Sequence, residues 1–206
     1  MQFRDLEALV ALGLLERKPA DPRDGWMNLD EPALIALAGL LRIRHAIDDE
    51  IASLIGHTPT SGHIGEVVAA AIFDIELAAS GVNAGFDGHF RSGQLAGQTV
   101  NVKAYAERTS FLDISPHPCD WYLVLMGPPR TSVDRGRSLP FTIECVFLFD
   151  IEALKAVLKI AGVGIGVASS VRKAMWEAAE IYSNAAPGAA MLPDERQRRL
   201  LEHFRA

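Results

Sequence analysis

Residues 120–127, "DWYLVLMG", form a continuous apolar run, and that run constrains the chain more than any other stretch. Its length and its Trp, Tyr and Val content read as the central strand of a sheet. A second apolar run, "FTIECVFLF" at 141–149, reads as another strand. Period-two patterns at 86–92 and 99–106, separated by a Gly-containing turn, predict a β-hairpin. The chain therefore builds a sheet in its second half.

Helices flank that sheet in the sequence. A short amphipathic helix is predicted over 3–18, followed by the loop "KPADPRDG" at 18–25. A long helix is predicted over Glu31 to Ile55, with Asp30 as cap, Pro32 in the first turn and Gly56 as the stop. An apolar helix follows at 64–80. Asp150 is placed to cap a helix that begins "IEALKAVLKIAG". Further helices are expected at 169–184, capped by Ser169 or Ser170, and at 193–204, with Pro193 at the start. The order predicts an α/β (α+β) protein with a mixed sheet between helices, not a bundle or a sandwich. The 206 residues suit one domain, read as an N-terminal helical extension (1–58) and an α/β core (59–206).

Charge and cysteine usage exclude several classes. Acids outnumber bases 26 to 20, for a formal charge of −6, so any polyanion site must be a local basic patch. Cys119 and Cys145 lack metal-ligand spacing, and Cys145 reads as a small core residue. No signal peptide and no run of roughly 18 apolar residues is present, so the expectation is a cytoplasmic protein with no membrane contact. The apolar stretch 33–41 is either core or a surface for a second copy in a homodimer.

Three polar features interrupt the apolar plan. Glu66 shares a helical face with Ala70, Phe73 and Leu77, where a carboxylate is costly without a partner. Read alone, it is equally well an acid stabilising a helix N-terminus. Asp87 opens the first hairpin strand just before Gly88, where an Asp closing a turn is the simpler reading. In "TVNVKAYA", alternation sends Val100, Val102 and Ala104 one way and Asn101, Lys103 and Tyr105 the other. That is an ordinary wet face if taken by itself. Together, two carboxylates, an amide and an amine at one end of a sheet are hard-oxygen and cationic groups suited to Mg²⁺ or Mn²⁺ and a phosphate.

Helix-Glu, strand-Asp and strand X-x-Lys, carried here by "GHIGEVVAA", "FDGHF" and "VNVK", resemble the core pattern of the PD-(D/E)xK nuclease superfamily of restriction endonucleases and junction resolvases. The resemblance covers about residues 60–127. It implies a restriction-endonuclease-like order of helix, three-strand meander, helix, strand. It implies Glu66 and Asp87 as metal ligands, Lys103 as the catalytic lysine, and metal-dependent hydrolysis of a phosphodiester in DNA. Asn101 stands where that superfamily usually has Asp or Glu and would complete or tune the site. His63, His89 and Tyr105 would lie behind these groups. Arg91, Arg130, Arg135 and Arg137 would bind phosphates. The whole chain, including "GVGIGVASSVRKAMWEAAEIY", also resembles a bacterial family of unknown function.

Two alternatives remain open on the sequence. Asn101 and the acidic net charge fit a catalytically inactive module of the same fold that binds a protein partner. His63, Glu66, Asp87 and His89 could instead form a His/Asp/Glu centre holding Zn²⁺, Fe²⁺ or Mn²⁺ for other hydrolytic chemistry.

Overall fold

The computed structural model describes residues 31–79, 85–131 and 139–205. The helix expected at 3–18, the loop at 18–25 and the cap at Asp30 lie outside the described residues. The described chain falls into two compact units, divided between Pro59 and Thr60.

The first unit holds α1 (Glu31–Ile55), with the bounds that the sequence predicts. Pro32 sits in the first turn, where its missing N–H loses no intrahelical bond. Gly56 leaves the helix at φ 72, a left-handed conformation that glycine adopts without Cβ strain, and its N–H donates to the carbonyl of Ala52 at 2.8 Å. Arg44 pairs with Asp48 at 3.4 Å along one face.

The second unit is a mixed α+β domain. Its elements are α2 (Ser61–Phe73), β1 (Ile75–Leu77), β2 (Gly88–Phe90), β3 (Thr99–Tyr105), β4 (Phe111–Leu112), β5 (Trp121–Met126), β6 (Cys145–Asp150), α3 (Ile151–Ile160), β7 (Ser169–Ser170), α4 (Lys173–Ala179), β8 (Glu180–Tyr182) and α5 (Glu195–Glu202). Six strands form one sheet in the order β1-β2-β3-β5-β6-β8. β1, β2 and β3 are an antiparallel meander, β5 lies parallel to β3, and β6 and β8 continue antiparallel. β4 and β7 pair separately.

Alternation in the central strands divides the core into two layers. Val100, Val102, Leu123, Leu125, Val146 and Leu148 face one way and pack with Ala69, Ile72 and Phe73 of α2 and Leu201 of α5. Tyr122, Val124, Met126, Phe147 and Phe149 face the other way and pack with Leu154, Leu158 and Trp176. Burying each such side chain stabilises the fold by about 1.5–3 kcal/mol. This two-sided burial is why the runs around β5 and β6 read as continuously apolar. Cys145 is in the second layer, as its apolar context implies, and Cys119 is buried there as well.

Local signals fix several ends. The Thr60 hydroxyl accepts the N–H of His63 at 3.2 Å and starts α2. Asp150 accepts the N–H of Ala153 at 2.9 Å and starts α3. Asp194 and Gln197 form a reciprocal capping box at α5, so that helix begins at Glu195, two residues beyond the expected Pro193.

Four expectations need correction. The helix expected over 64–80 stops at Phe73, because Asp74 turns left-handed (φ 55, ψ 53) and releases Ile75–Leu77 to pair with β2. The helix expected over 169–184 is β7, α4 and β8. Ser169 and Ser170 pair with β4 and cap nothing, and Arg172 precedes the helix instead. The strand expected from 141 begins only at Cys145, where pairing with β5 begins. The helix implied between the meander and the next strand is absent: residues 106–120 form an extended crossover with β4, and Pro116 and Pro118 withhold the N–H groups a helix there would need.

Candidate functional site

The register of β3 brings the sequence-predicted polar groups together on one face. Gly88 lies opposite Val100 and His89 opposite Thr99, and β2 then stops pairing with β3. Asp87 continues the contact in a different way. Its N–H donates to the carbonyl of Val100 at 2.9 Å, and its Oδ2 accepts the N–H of Val102 at 2.6 Å. A carboxylate thus takes the place of a backbone partner at the splayed end of the hairpin.

Asn101 and Lys103 project from the same side of β3, away from α2. Asn101 is only 7% exposed. Its Nδ2 donates to the carbonyl of Gly85 at 3.3 Å, while its Oδ1 is buried with no hydrogen-bond partner among the described residues. The Lys103 ammonium lies 5.6 Å from the centre of the Tyr122 ring, within cation–π range. Parallel pairing sets Tyr122 opposite Asn101, and its hydroxyl accepts the N–H of Ser115 at 2.8 Å. Tyr105, two residues beyond Lys103, uses its hydroxyl to accept the N–H of Asp113 at 3.1 Å.

The electrostatics follow from burial. Loss of water around Asp87 raises its carboxyl above the ordinary 3.8, against the pull of the Val102 N–H and the Lys103 charge. Burial also raises Tyr122, with the charge of Asp87 adding to the effect. Tyr105 is pushed up to about 12, mainly by burial, so its hydroxyl stays protonated.

Glu66 stands apart from this face in its attachment. Its helix packs against the opposite face of the sheet, so closely that a Cβ on Gly65 would lie 2.6 Å from the Cβ of Ala104. Glu66 is half-buried there, and His63 lies one turn earlier within the same helix. His89 is half-buried and meets the Phe86 ring edge-on, with centroids 5.0 Å apart. Among the described residues, no three His, Cys, Asp or Glu side chains form a group that could hold a metal ion. His63, Glu66, Asp87 and His89 therefore do not assemble into such a cluster.

The arginines are dispersed. Arg91 donates to Asp74 through Nε at 2.9 Å and Nη2 at 2.7 Å, at the end of β2 away from Asp87. Arg130 pairs with Glu107 at 3.1 Å. Arg135 and Arg137 lie outside the described residues. The sequence reading missed Tyr122: its position beneath Lys103 depends on the parallel pairing of β3 and β5, and no local pattern signals that pairing.

No family model and no curated protein matches the chain. No helix among the described residues is long and apolar enough to cross a membrane.

Proposed function

We propose that Asp87, Asn101 and Lys103 form the centre of a Mg²⁺- or Mn²⁺-dependent phosphodiesterase that acts on DNA. The supporting observation is the buried Oδ1 of Asn101, which has no hydrogen-bond partner among the described residues and lies on the strand that Asp87 closes. A buried acceptor left unmet is costly, and a cation would satisfy it. The donors are hard oxygens, the type these two metals prefer, and Mg²⁺ keeps several waters when few protein ligands are offered. The residues thus fit the group.

In this reading Asp87 binds through the oxygen that Val102 leaves free, and Asn101 through its orphan Oδ1. Glu66, on the helix that packs against the opposite face of the sheet, lies outside this donor set. A bound divalent ion supplies charge neutralisation at the phosphate and a more acidic water. Lys103 orients the attacking water through its ammonium and offsets the charge that develops on the phosphate oxygens. The Tyr122 ring, 5.6 Å from the ammonium, fixes its direction. With a net charge of −6 on the chain, DNA binding must come from local cations.

A second reading is an inactive module of the same kind. The neutral amide at Asn101, together with the engagement of Asp87 by the Val102 N–H, favours it. Titration with Mn²⁺, followed by melting temperature and by nicking of supercoiled DNA, separates the two. A metal-induced shift with nicking, both lost in Asp87→Asn, supports the phosphodiesterase. A shift without nicking supports the binding module. Neither shift nor nicking in the intact protein overturns the metal centre.

A further inference from the structure

A second concavity opens at the far ends of β5 and β6. It encloses about 670 Å³ and is walled by Met126, Phe147 and Trp176, within the range of small-molecule sites. Trp176 meets Phe147 and Phe149 edge-on, each pair with centroids 4.9 Å apart, so its ring is held rigidly. Four charged side chains also line it. Lys173 and Glu177 satisfy each other at 3.3 Å. Glu180 and Arg108 do not pair.

Glu180 is 5% exposed. Among the described residues its carboxylate accepts only the N–H of Asn184, at 2.8 Å, and no Lys or Arg pairs with it. A buried carboxylate without a cation is costly to maintain. Arg108 is exposed, and among the described residues its side chain reaches only the Sγ of Cys145, through Nη2 at 3.5 Å. Both groups influence the Cys145 thiol: burial raises it first, Glu180 raises it further, and Arg108 opposes them. The Trp176 indole N–H is buried in the same wall, without a partner among the described residues.

The cavity thus offers an acceptor of positive charge at its buried end, a donor to negative charge at its rim, and an aromatic and thioether surface between them. We infer that it binds a small zwitterion of the α-amino-acid type with an apolar side chain. The ammonium would sit on Glu180, the carboxylate on Arg108, and the apolar body on Met126, Phe147 and Trp176. This site is independent of the Asp87 centre and stands or falls without it.

The test titrates the full chain with L-leucine, read by calorimetry and by the change in tryptophan fluorescence. The comparison compounds are 3-methylbutylamine, which lacks the carboxylate, and 4-methylpentanoate, which lacks the amine. The expected result is saturable binding of L-leucine, stronger than either comparison compound. Arg108→Ala, at an exposed position, should weaken L-leucine by roughly tenfold and leave the amine unchanged. Glu180→Gln should weaken both amine-bearing ligands. No saturable binding of L-leucine up to roughly 10 mM overturns the inference. So does equal binding of 4-methylpentanoate, or L-leucine affinity unchanged by Arg108→Ala, a result that does not depend on whether Glu180→Gln folds.

Discussion

The carboxylate of Asp87 accepts the backbone N–H of Val102 at 2.6 Å, just past the last register pair of β2 on β3, Gly88 with Val100. That bond lets the hairpin open without stranding a strand N–H. It also fixes an acid beside Asn101 and Lys103, at the point where the register of β2 on β3 ends. Structure and proposed chemistry therefore depend on the same side chain, and each leaves a separate signature.

Burial raises the Asp87 carboxyl above 3.8 in the folded chain. A group with a raised folded value holds its proton more tightly folded than unfolded, so stability falls as pH climbs from 3.8 through that raised value. Near neutral pH the wild type carries the cost of a half-buried charge. Asp87→Asn keeps an acceptor for Val102 and carries no charge. It should melt higher than wild type near neutral pH, and the two melting curves should converge below the ordinary carboxylate range. A variant that melts lower near neutral pH would mean that the Val102 bond to a full carboxylate outweighs desolvation.

Gly65 sets how closely α2 approaches β3. A methyl group there would meet the Cβ of Ala104 at 2.6 Å, well inside contact distance, with the strand backbone behind it. Gly65→Ala gains up to about 1 kcal/mol of helix propensity. Overpacking costs about 1–3 kcal/mol, so a net loss of stability is expected in chemical denaturation. Gly65→Ala with Ala104→Gly should recover most of it. Failure of the double variant to recover would show that the contact does not limit the packing of α2.

Much of this architecture is legible in the sequence, and the exceptions share a cause. α1 announces itself through Pro32 and Gly56, and β5 and β6 through unbroken apolar runs. β1 is hidden because "AAAIFDIEL" keeps helical apolar spacing, and only the left-handed turn at Asp74 breaks it. β8 is hidden in the same way, behind the helical spacing of "MWEAAEIY". Asn101, Lys103 and Tyr105 follow from strand alternation alone. Tyr122 beneath Lys103 does not, since the crossover between β3 and β5 sets that neighbour. Nor does the burial of Glu180, which follows from α4 ending at Ala179 and the chain turning into the sheet.

Asp74 is held below its ordinary value by hydrogen bonds from Ser92 first and then Arg91, with the Arg91 charge adding. A lowered folded value contributes stability above 3.8, and that contribution is lost as pH falls through the lowered value. Asp74→Asn tolerates the left-handed backbone but loses the ion pair. It should melt lower than wild type near neutral pH, and high salt should shrink the difference. The difference should vanish at acid pH. A gap that persists unchanged in acid would assign the effect to the turn and not to the carboxylate.

Asn101→Asp discriminates most sharply among the readings of the β3 face. It places a second acid beside Asp87 in a site where Asn101 is 7% exposed. Without metal, the added buried charge should cost about 3–5 kcal/mol, the range typical of an uncompensated buried charge. With Mn²⁺ the two carboxylates would share a cation, and the melting temperature should rise with metal more steeply than in wild type, with roughly tenfold tighter apparent binding. Lys103 separates binding from chemistry in this background: Lys103→Met should keep the metal response and abolish any nicking of DNA. If Mn²⁺ leaves the Asn101→Asp variant as unstable as it is in chelator, the face does not hold a cation, and the orphan Oδ1 of Asn101 must be satisfied by another partner.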